Sequence, residues 1–158
     1  MEIKILKKED VNQLQELNRL FAEAFDDDEN YQKFPPSDSY LNNLLSKENF
    51  LCLVALDKLE NQTHREILVG GLVAYVLEKF EQERKEIYIY DLAVDEKYRR
   101  KGIARGLIIA LQKKAKELGA YVIYVQADYG DDPAIQLYNS MGSKEEVLHF
   151  DIEVEWYF

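Results

Sequence analysis

One cysteine, three prolines and two histidines are all that this 158-residue chain holds of the residues that staple, break or ligate. Cys52 has no partner for an intramolecular disulfide, and its place in the apolar run "FLCLVAL" reads as a small buried hydrophobe rather than a nucleophile. Two histidines and one cysteine cannot assemble a conventional structural zinc site without carboxylates. Neither acidic cluster has the D-x-[DN]-x-[DN]-G-x₅-E spacing of a calcium loop, so no metal is expected. Long apolar runs are missing too. None approaches the roughly 20 residues of a membrane span, and "MEIKILKKEDVNQL" has no apolar stretch between a basic start and a small-residue cleavage site. No membrane association and a cytoplasmic location are the expectations. Positive charge is in deficit: 20 Lys and Arg against 30 Asp and Glu leave a formal charge of −10. Such a balance argues against nucleic acid as a partner and favours the encounter of cationic ligands.

What is present suffices for one packed domain over residues 1–158, since 47% of the chain is hydrophobic and 12% aromatic. "EIKIL" alternates like a short strand. Asp10 is then placed to cap a helix with Leu14, Leu17, Leu20, Phe21, Ala24 and Phe25 on one face. After "DDDEN", two prolines end an extended loop, and Ser37 or Asp38 can start a short helix with Tyr40, Leu41, Leu44 and Leu45. "NFLCLVALD", "ILVGGLVAYVLEKF" and "EIYIYDLAV" read as three consecutive antiparallel strands. A helix follows with Ile103, Leu107, Ile108, Leu111, Ala115 and Leu118 on one face and Gly119 as its stop. "AYVIYVQA" is a strand, "DDPAIQLYNSMG" a helix with Pro133 in its first turn, and "EEVLHFDIEVEW" a final strand. The order β-α-α-β-β-β-α-β-α-β predicts an α/β fold whose mixed sheet is flanked by helices.

The positive charge that exists is concentrated. "YRRKGIARG" holds Arg99, Arg100, Lys101 and Arg105 between a strand and the start of a helix. The first N–H groups of a helix lack intrahelical acceptors and sit at the positive end of its dipole, and Gly102 permits close backbone approach, so phosphate is a natural ligand. Taken alone, the pattern also fits a solvated basic turn. Two other phosphate motifs are excluded, because neither G-x-x-x-x-G-K-[ST] nor G-x-G-x-x-G occurs.

"RRKGIA", residues 99–104, resembles the [QR]-x-x-G-x-[GA] loop that holds the acetyl-CoA pyrophosphate in the GNAT N-acetyltransferases. "DPAIQLYNSMG" is similar to that superfamily's later helix motif, through Ala134, Leu137, Tyr138 and Gly142. "KFEQERKEIYIYDLAV", "ELGAYVIYVQADYGDDPAIQLY" and "EEVLHFDIE" resemble the type I aminoglycoside 3-N-acetyltransferases across most of the chain. The superfamily motifs imply the GNAT fold and acetyl-CoA as cosubstrate. The longer segments imply a 2-deoxystreptamine aminoglycoside of the gentamicin and sisomicin type as acceptor, with antibiotic resistance as the outcome.

Residue by residue, the resemblance assigns the cofactor phosphates to Arg99, Arg100, Lys101, Gly102, Ile103 and Ala104, with Arg105 adding side-chain charge. Leu92, Ala93 and Val94 would hold the pantetheine arm, where the family's strand splays from its neighbour. An N–H of Val94 or Leu92 would face the thioester oxygen. Tyr138 matches the family's general acid, although a tyrosine packed in the core has the same signature. Asp91 interrupts an apolar strand beside these positions, where a buried charge needs a role or a partner. Substrate binding and general base are its expected tasks, and accepting backbone N–H groups at a bulge is the alternative. Asp128, Tyr129, Asp131 and Asp132 lie beyond the next strand and add charge suited to a cation. Asp132 could instead cap the Pro133 helix. The wider superfamily often has Asn near this helix start, so the usual hydrogen bond to the cofactor arm is in doubt here. Asp151, with His149, would stand near the cleft, or the histidine has only an ordinary hydrogen bond. Asp26, Asp27, Asp28 and Glu29 would form an acidic lip or a solvated helix end. A polyamine or protein-amine acetyltransferase would share every cofactor residue, and a non-catalytic acyl-CoA sensor would bind cofactor without transfer. "EWYF" serves a homodimer contact or a packed final strand equally well.

Overall fold

The computed structural model describes residues 1–62 and 64–156, and the chain divides into two compact units, residues 1–126 and 127–158. In the first unit the elements are β1 (Glu2–Ile5), α1 (Val11–Phe25), α2 (Asp28–Tyr31), α3 (Asp38–Leu45), β2 (Phe50–Lys58), β3 (Glu66–Glu78), β4 (Lys85–Val94), α4 (Ile103–Leu118) and β5 (Ala120–Val125). The strands form one sheet in the order β1-β2-β3-β4-β5. All neighbours are antiparallel except β4 and β5. That pair is parallel because the 16-residue α4 carries the chain back before β5 begins. The expected mixed sheet flanked by helices is the one observed. Among the described residues, no helix is long and apolar enough to cross a membrane.

Two adjacent glycines show how the layers stack. A Cβ on Gly71 would lie 2.6 Å from Leu17 Cδ1 of α1, and one on Gly70 would lie 3.4 Å from Ile103 Cγ2 of α4. Successive side chains of a strand point to opposite faces, so α1 and α4 cover opposite sides of the sheet. Leu14, Leu17, Leu20 and Phe21 of α1 are buried with Leu41 and Leu45 of α3 against Cys52, Val54, Val73 and Ala93. Leu107, Ile108, Leu111 and Ala115 give α4 its buried stripe. Cys52 is fully enclosed, and burial pushes its thiol well above the usual range, as an inert core residue requires.

Two local expectations are corrected in this unit. The Asp10 side chain does not cap α1; it accepts from the Lys7 N–H (2.8 Å) and Lys4 Nζ (3.0 Å), which hold it on the preceding turn. The stretch after Phe25 is not only loop. Asp26 adopts a left-handed conformation (φ 48°) that ends α1, and Asp27 caps the short α2 by accepting from the Asn30 N–H at 3.1 Å. Of the two starts weighed for α3, Ser37 is the cap, accepting from the Tyr40 N–H.

The second unit contains α5 (Asp132–Met141). Asp131, not Asp132, stands at the cap position, and Asp132 with Pro133 opens the first turn. Gly142 ends the helix in an extended conformation. The final strand expected over "EEVLHFDIEVEW" is not formed: among the described residues, 143–156 carry no helix or strand. Alternation makes a segment strand-like, but a strand exists only when a neighbouring edge supplies its hydrogen bonds. The last two residues of "EWYF", Tyr157 and Phe158, lie outside the described residues.

Candidate active site

In the first unit the site is organised by one irregularity of β4. The β3–β4 register runs Val73↔Asp91 and then Ala74↔Ile89, leaving Tyr90 as an extra residue. Strict alternation would turn Asp91 to the face of the buried Ile87 and Ile89. The bulge turns it instead to the α1 and α2 side, since a bulge re-aims the side chains that follow. There Asp91 Oδ2 accepts a 2.6 Å hydrogen bond from the Tyr31 hydroxyl. Burial raises the Asp91 carboxyl above its ordinary range, the Tyr31 bond draws it back, and the negative Asp27 raises it again. Tyr31 is likewise raised, by burial first and by its bond to Asp91 second.

Tyr31 was not foreseen from the sequence. Its ring is held edge-on to Phe21 (6.0 Å between centroids) and tilted against Phe25 (5.8 Å), and those two rings stack at 5.6 Å. The spacing of Phe21 and Phe25 on α1 was legible. That α2 would bring Tyr31 over them, and so over β4, was not. A second aromatic series crosses the sheet on the same side of the bulge, from Tyr75 to Tyr90 to Tyr88 to Tyr124, at centroid separations of 5.9, 6.0 and 4.8 Å.

Beyond the bulge β4 loses a neighbour. Its parallel ladder with β5 ends at Ile89↔Val125, so Asp91 to Val94 are paired with β3 alone. Backbone groups of an antiparallel strand alternate between its two sides. The Asp95 N–H donates to Val69 O on β3 (2.8 Å), which assigns Ala93 to the same side and turns the N–H and C=O of Leu92 and Val94 to the open side. Of the three residues expected to hold an extended ligand arm, Leu92 therefore offers its N–H and C=O and Val94 its N–H, the Val94 carbonyl accepting from Arg99, whereas the groups of Ala93 are committed to β3.

A 3-10 turn at Glu96–Tyr98 then leads into the basic loop. Arg99 folds back, its Nε donating to Val94 O at 3.1 Å. Arg100 (φ 63°) and Gly102 (φ 78°) are both left-handed, and Gly102 leads straight into the right-handed first turn of α4. Such a reversal of handedness points consecutive N–H groups into one concavity, a ready anion cradle. Among the described residues no side chain caps this end of α4, and the N–H groups of Ile103 and Ala104 have no acceptor within the helix. A Cβ built on Gly102 would meet nothing within 4 Å, so the loop is open at that residue. Lys101 Nζ lies 5.0 Å from the centre of the Tyr98 ring and remains on the loop's exposed side. Open space, free amides and cationic side chains fit the pyrophosphate of a CoA ester.

In the second unit Asp128, Tyr129, Asp131 and Asp132 are all exposed around the start of α5, with Gly130 left-handed (φ 91°) between them. Tyr138 is half-buried one helical face further on; burial, then the negative Asp131, push its phenol up to about 12. His149 Nε2 and Asp151 Oδ1 are 2.8 Å apart, and both residues are exposed.

The family described as "Acetyltransferase (GNAT) family" matches residues 12–142. An aminoglycoside acetyltransferase from an uncultured soil metagenomic sample is 46% identical and superimposes over 98% of both chains with a TM-score of 0.90. A second such enzyme from an uncultured soil metagenomic sample, solved in complex with sisomicin, is 36% identical over 98% of this chain and 96% of its own, with a TM-score of 0.83. The N-alpha-acetyltransferase of Sulfurisphaera tokodaii is 32% identical over 87 residues, 48% of this chain and 52% of that protein. The chain thus spans about half the length of this curated relative.

Proposed function

Because the chain belongs to the GNAT acetyltransferase family, whose members use acetyl-CoA, we propose that it transfers acetyl from acetyl-CoA to the 3-amino group of 2-deoxystreptamine aminoglycosides. Modification of such drugs would make the host resistant to them. The observation that carries this reading is the stretch Asp91–Val94, where a half-buried carboxylate adjoins a strand edge whose Leu92 and Val94 N–H groups face away from β3, directly before the basic loop. Two aminoglycoside acetyltransferases similar over nearly the whole chain support the acceptor class.

In this mechanism the Arg99–Ala104 backbone and the Arg100, Lys101 and Arg105 side chains hold the CoA phosphates. The open edge at Leu92 and Val94 takes the pantetheine amides. The Leu92 or Val94 N–H donates to the thioester oxygen as negative charge develops there, a contribution of about 10²–10³ in rate for one well-placed donor. Asp91 binds the acceptor amine and takes its proton, directly or through one water, so that the neutral nitrogen attacks the thioester carbon. A C–N bond forms and the C–S bond breaks. The Tyr138 hydroxyl serves the departing sulfur. With a phenol near 12 and a thiol near 8.5, proton transfer from phenol to thiolate is uphill, so Tyr138 acts mainly as a hydrogen-bond donor and the thiolate takes its proton from solvent. Asp128, Tyr129, Asp131, Asp132 and Asp151 supply negative charge and a ring face to a polycation, in keeping with the −10 of the chain.

A thiol-release assay over sisomicin, gentamicin, spermidine and peptides with free α-amines tests the reading. Turnover with sisomicin and an acetyl group on the 3-nitrogen by NMR are expected. Absence of turnover with every 2-deoxystreptamine drug would overturn it. The partial likeness to an N-alpha-acetyltransferase favours one second reading, a protein amine as acceptor, which the peptides in that assay would reveal.

A further inference from the structure

The bulge in β4 re-aims Asp91, and it also leaves a tyrosine beside it. Tyr88 alternates with the buried Ile87 and Ile89, so its ring lies on the opposite face of the sheet, the α1 and α2 side. Tyr90 follows on that same face, where its ring meets those of Tyr75 and Tyr88, and the bulge brings Asp91 there as well. Two consecutive residues of one strand thus present a ring and a carboxyl side by side.

Packing alone does not account for this ring. Helices α1 and α3 bury the Val73 and Ala93 part of the face, yet Tyr90 stays 61% exposed. It stands nearly perpendicular to Tyr75 (83°) and to Tyr88 (78°). Tyr88 is itself anchored, stacked on Tyr124 and donating its hydroxyl to Gln126 Oε1 at 3.1 Å. Neighbours therefore fix the orientation of Tyr90 from two sides without covering it. A ring held in place before its ligand arrives loses little freedom on binding.

We propose that the exposed ring of Tyr90 is the platform for the amino sugar attached at carbon 4 of the acceptor's central ring, and that it thereby selects among amines. This rests on the aminoglycoside acceptor proposed above. With the 3-nitrogen at Asp91, carbon 4 bears the nearest glycosidic bond, since carbon 2 of a 2-deoxystreptamine carries only hydrogen. A side chain one residue from Asp91 on the same face is placed to meet the sugar on that bond. The sugar offers an apolar C–H face, which packs on an aromatic ring, and ammonium groups, which are drawn to the ring's negative face. Asp91 supplies charge and Tyr90 supplies shape. A carboxylate alone would take any amine, whereas a fixed ring beside it favours an amine that carries a second ring.

Steady-state kinetics of the full chain with sisomicin and acetyl-CoA test the proposal. Tyr90→Leu should raise the KM for sisomicin about tenfold, the scale of a lost ring contact with a cationic sugar, and leave kcat and the KM for acetyl-CoA within about twofold. Tyr90→Phe keeps the ring and should keep the wild-type KM. A ring with only a structural role would lower the urea midpoint on removal and leave the KM for sisomicin in place. Saturation-transfer NMR of sisomicin on the CoA-bound protein gives a second reading. Irradiation of the tyrosine ring protons should saturate the sugar at carbon 4 more than the sugar at carbon 6, and Tyr90→Leu should abolish that difference. An unchanged KM in Tyr90→Leu, or saturation centred on the carbon 6 sugar, would overturn the platform while leaving the acceptor class intact. A wild type that neither acetylates nor binds sisomicin would overturn the acceptor class and the platform together.

Discussion

The Tyr31 hydroxyl and Asp91 Oδ2 lie 2.6 Å apart across 60 residues of sequence, and this bond restrains a carboxyl that burial would otherwise raise further. If Asp91 is the base, activity requires its ionised form and falls as the pH drops through its raised value. Tyr31→Phe removes the restraint and keeps the ring packing. The acidic limb of the kcat/KM profile should therefore move to higher pH, while activity on its plateau, where Asp91 is ionised with or without the bond, falls by about tenfold or less. An unmoved limb would show that Asp91 is not the titrating base.

Asp91 also ties function to stability. Its folded value is raised above the ordinary 3.8 of the unfolded chain. Ionisation therefore costs more in the folded state, and the penalty is present above the folded value and gone below the unfolded one. Asp91→Asn should be more resistant to urea than the wild type at pH 7.5, and this advantage should shrink as the pH falls towards 4. Its turnover with any amine should drop by about 10²-fold or more, as for loss of a general base.

Gly71 makes a different demand. A Cβ there would stand 2.6 Å from Leu17 Cδ1 and 2.9 Å from the Leu53 carbonyl oxygen, and the latter, as backbone, cannot move aside. Gly71→Ala should cost about 1–3 kcal/mol in urea unfolding, by overpacking the α1 face of the sheet.

At Gly102 space is open but the backbone is left-handed. Gly102→Ala should cost only about 1–2 kcal/mol of stability, yet its methyl group would intrude on the cradle that the phosphates are proposed to use. The expected signature is a KM for acetyl-CoA raised about tenfold or more with kcat changed little, read from initial rates at saturating acceptor.

The elements that carry their own pattern were legible in the sequence. The stripes of α1 and α4 repeat at three and four residues, the apolar runs of β2 to β4 are bounded by polar turns, and the loop at 99–104 is a contiguous motif. Long-range placement was not. Nothing local to Tyr31 announces Asp91, because their meeting depends on a bulge at Tyr90 that alternation does not encode and on an α2 helix read only as an acidic stretch. The segment after Gly142 shows the opposite error. Its alternation is real, but a strand is a property of two edges, and the sequence displays only one of them at a time.

Tyr138 provides the last test. Its hydroxyl stays protonated until about pH 12, so the donor it would offer to the leaving sulfur is available across the whole assay range. Tyr138→Phe should lower kcat by about 10²–10³-fold, the effect of deleting one donor to developing charge, and leave the KM for acetyl-CoA within a few-fold of wild type. No basic limb assignable to a phenol should appear below pH 10 in the wild-type profile. A limb near pH 9 that vanishes in Tyr138→Phe would mean that this phenol ionises far more readily than its burial beside Asp131 allows. Tyr138 would then be a proton shuttle, matched to the thiol it serves, rather than a fixed donor.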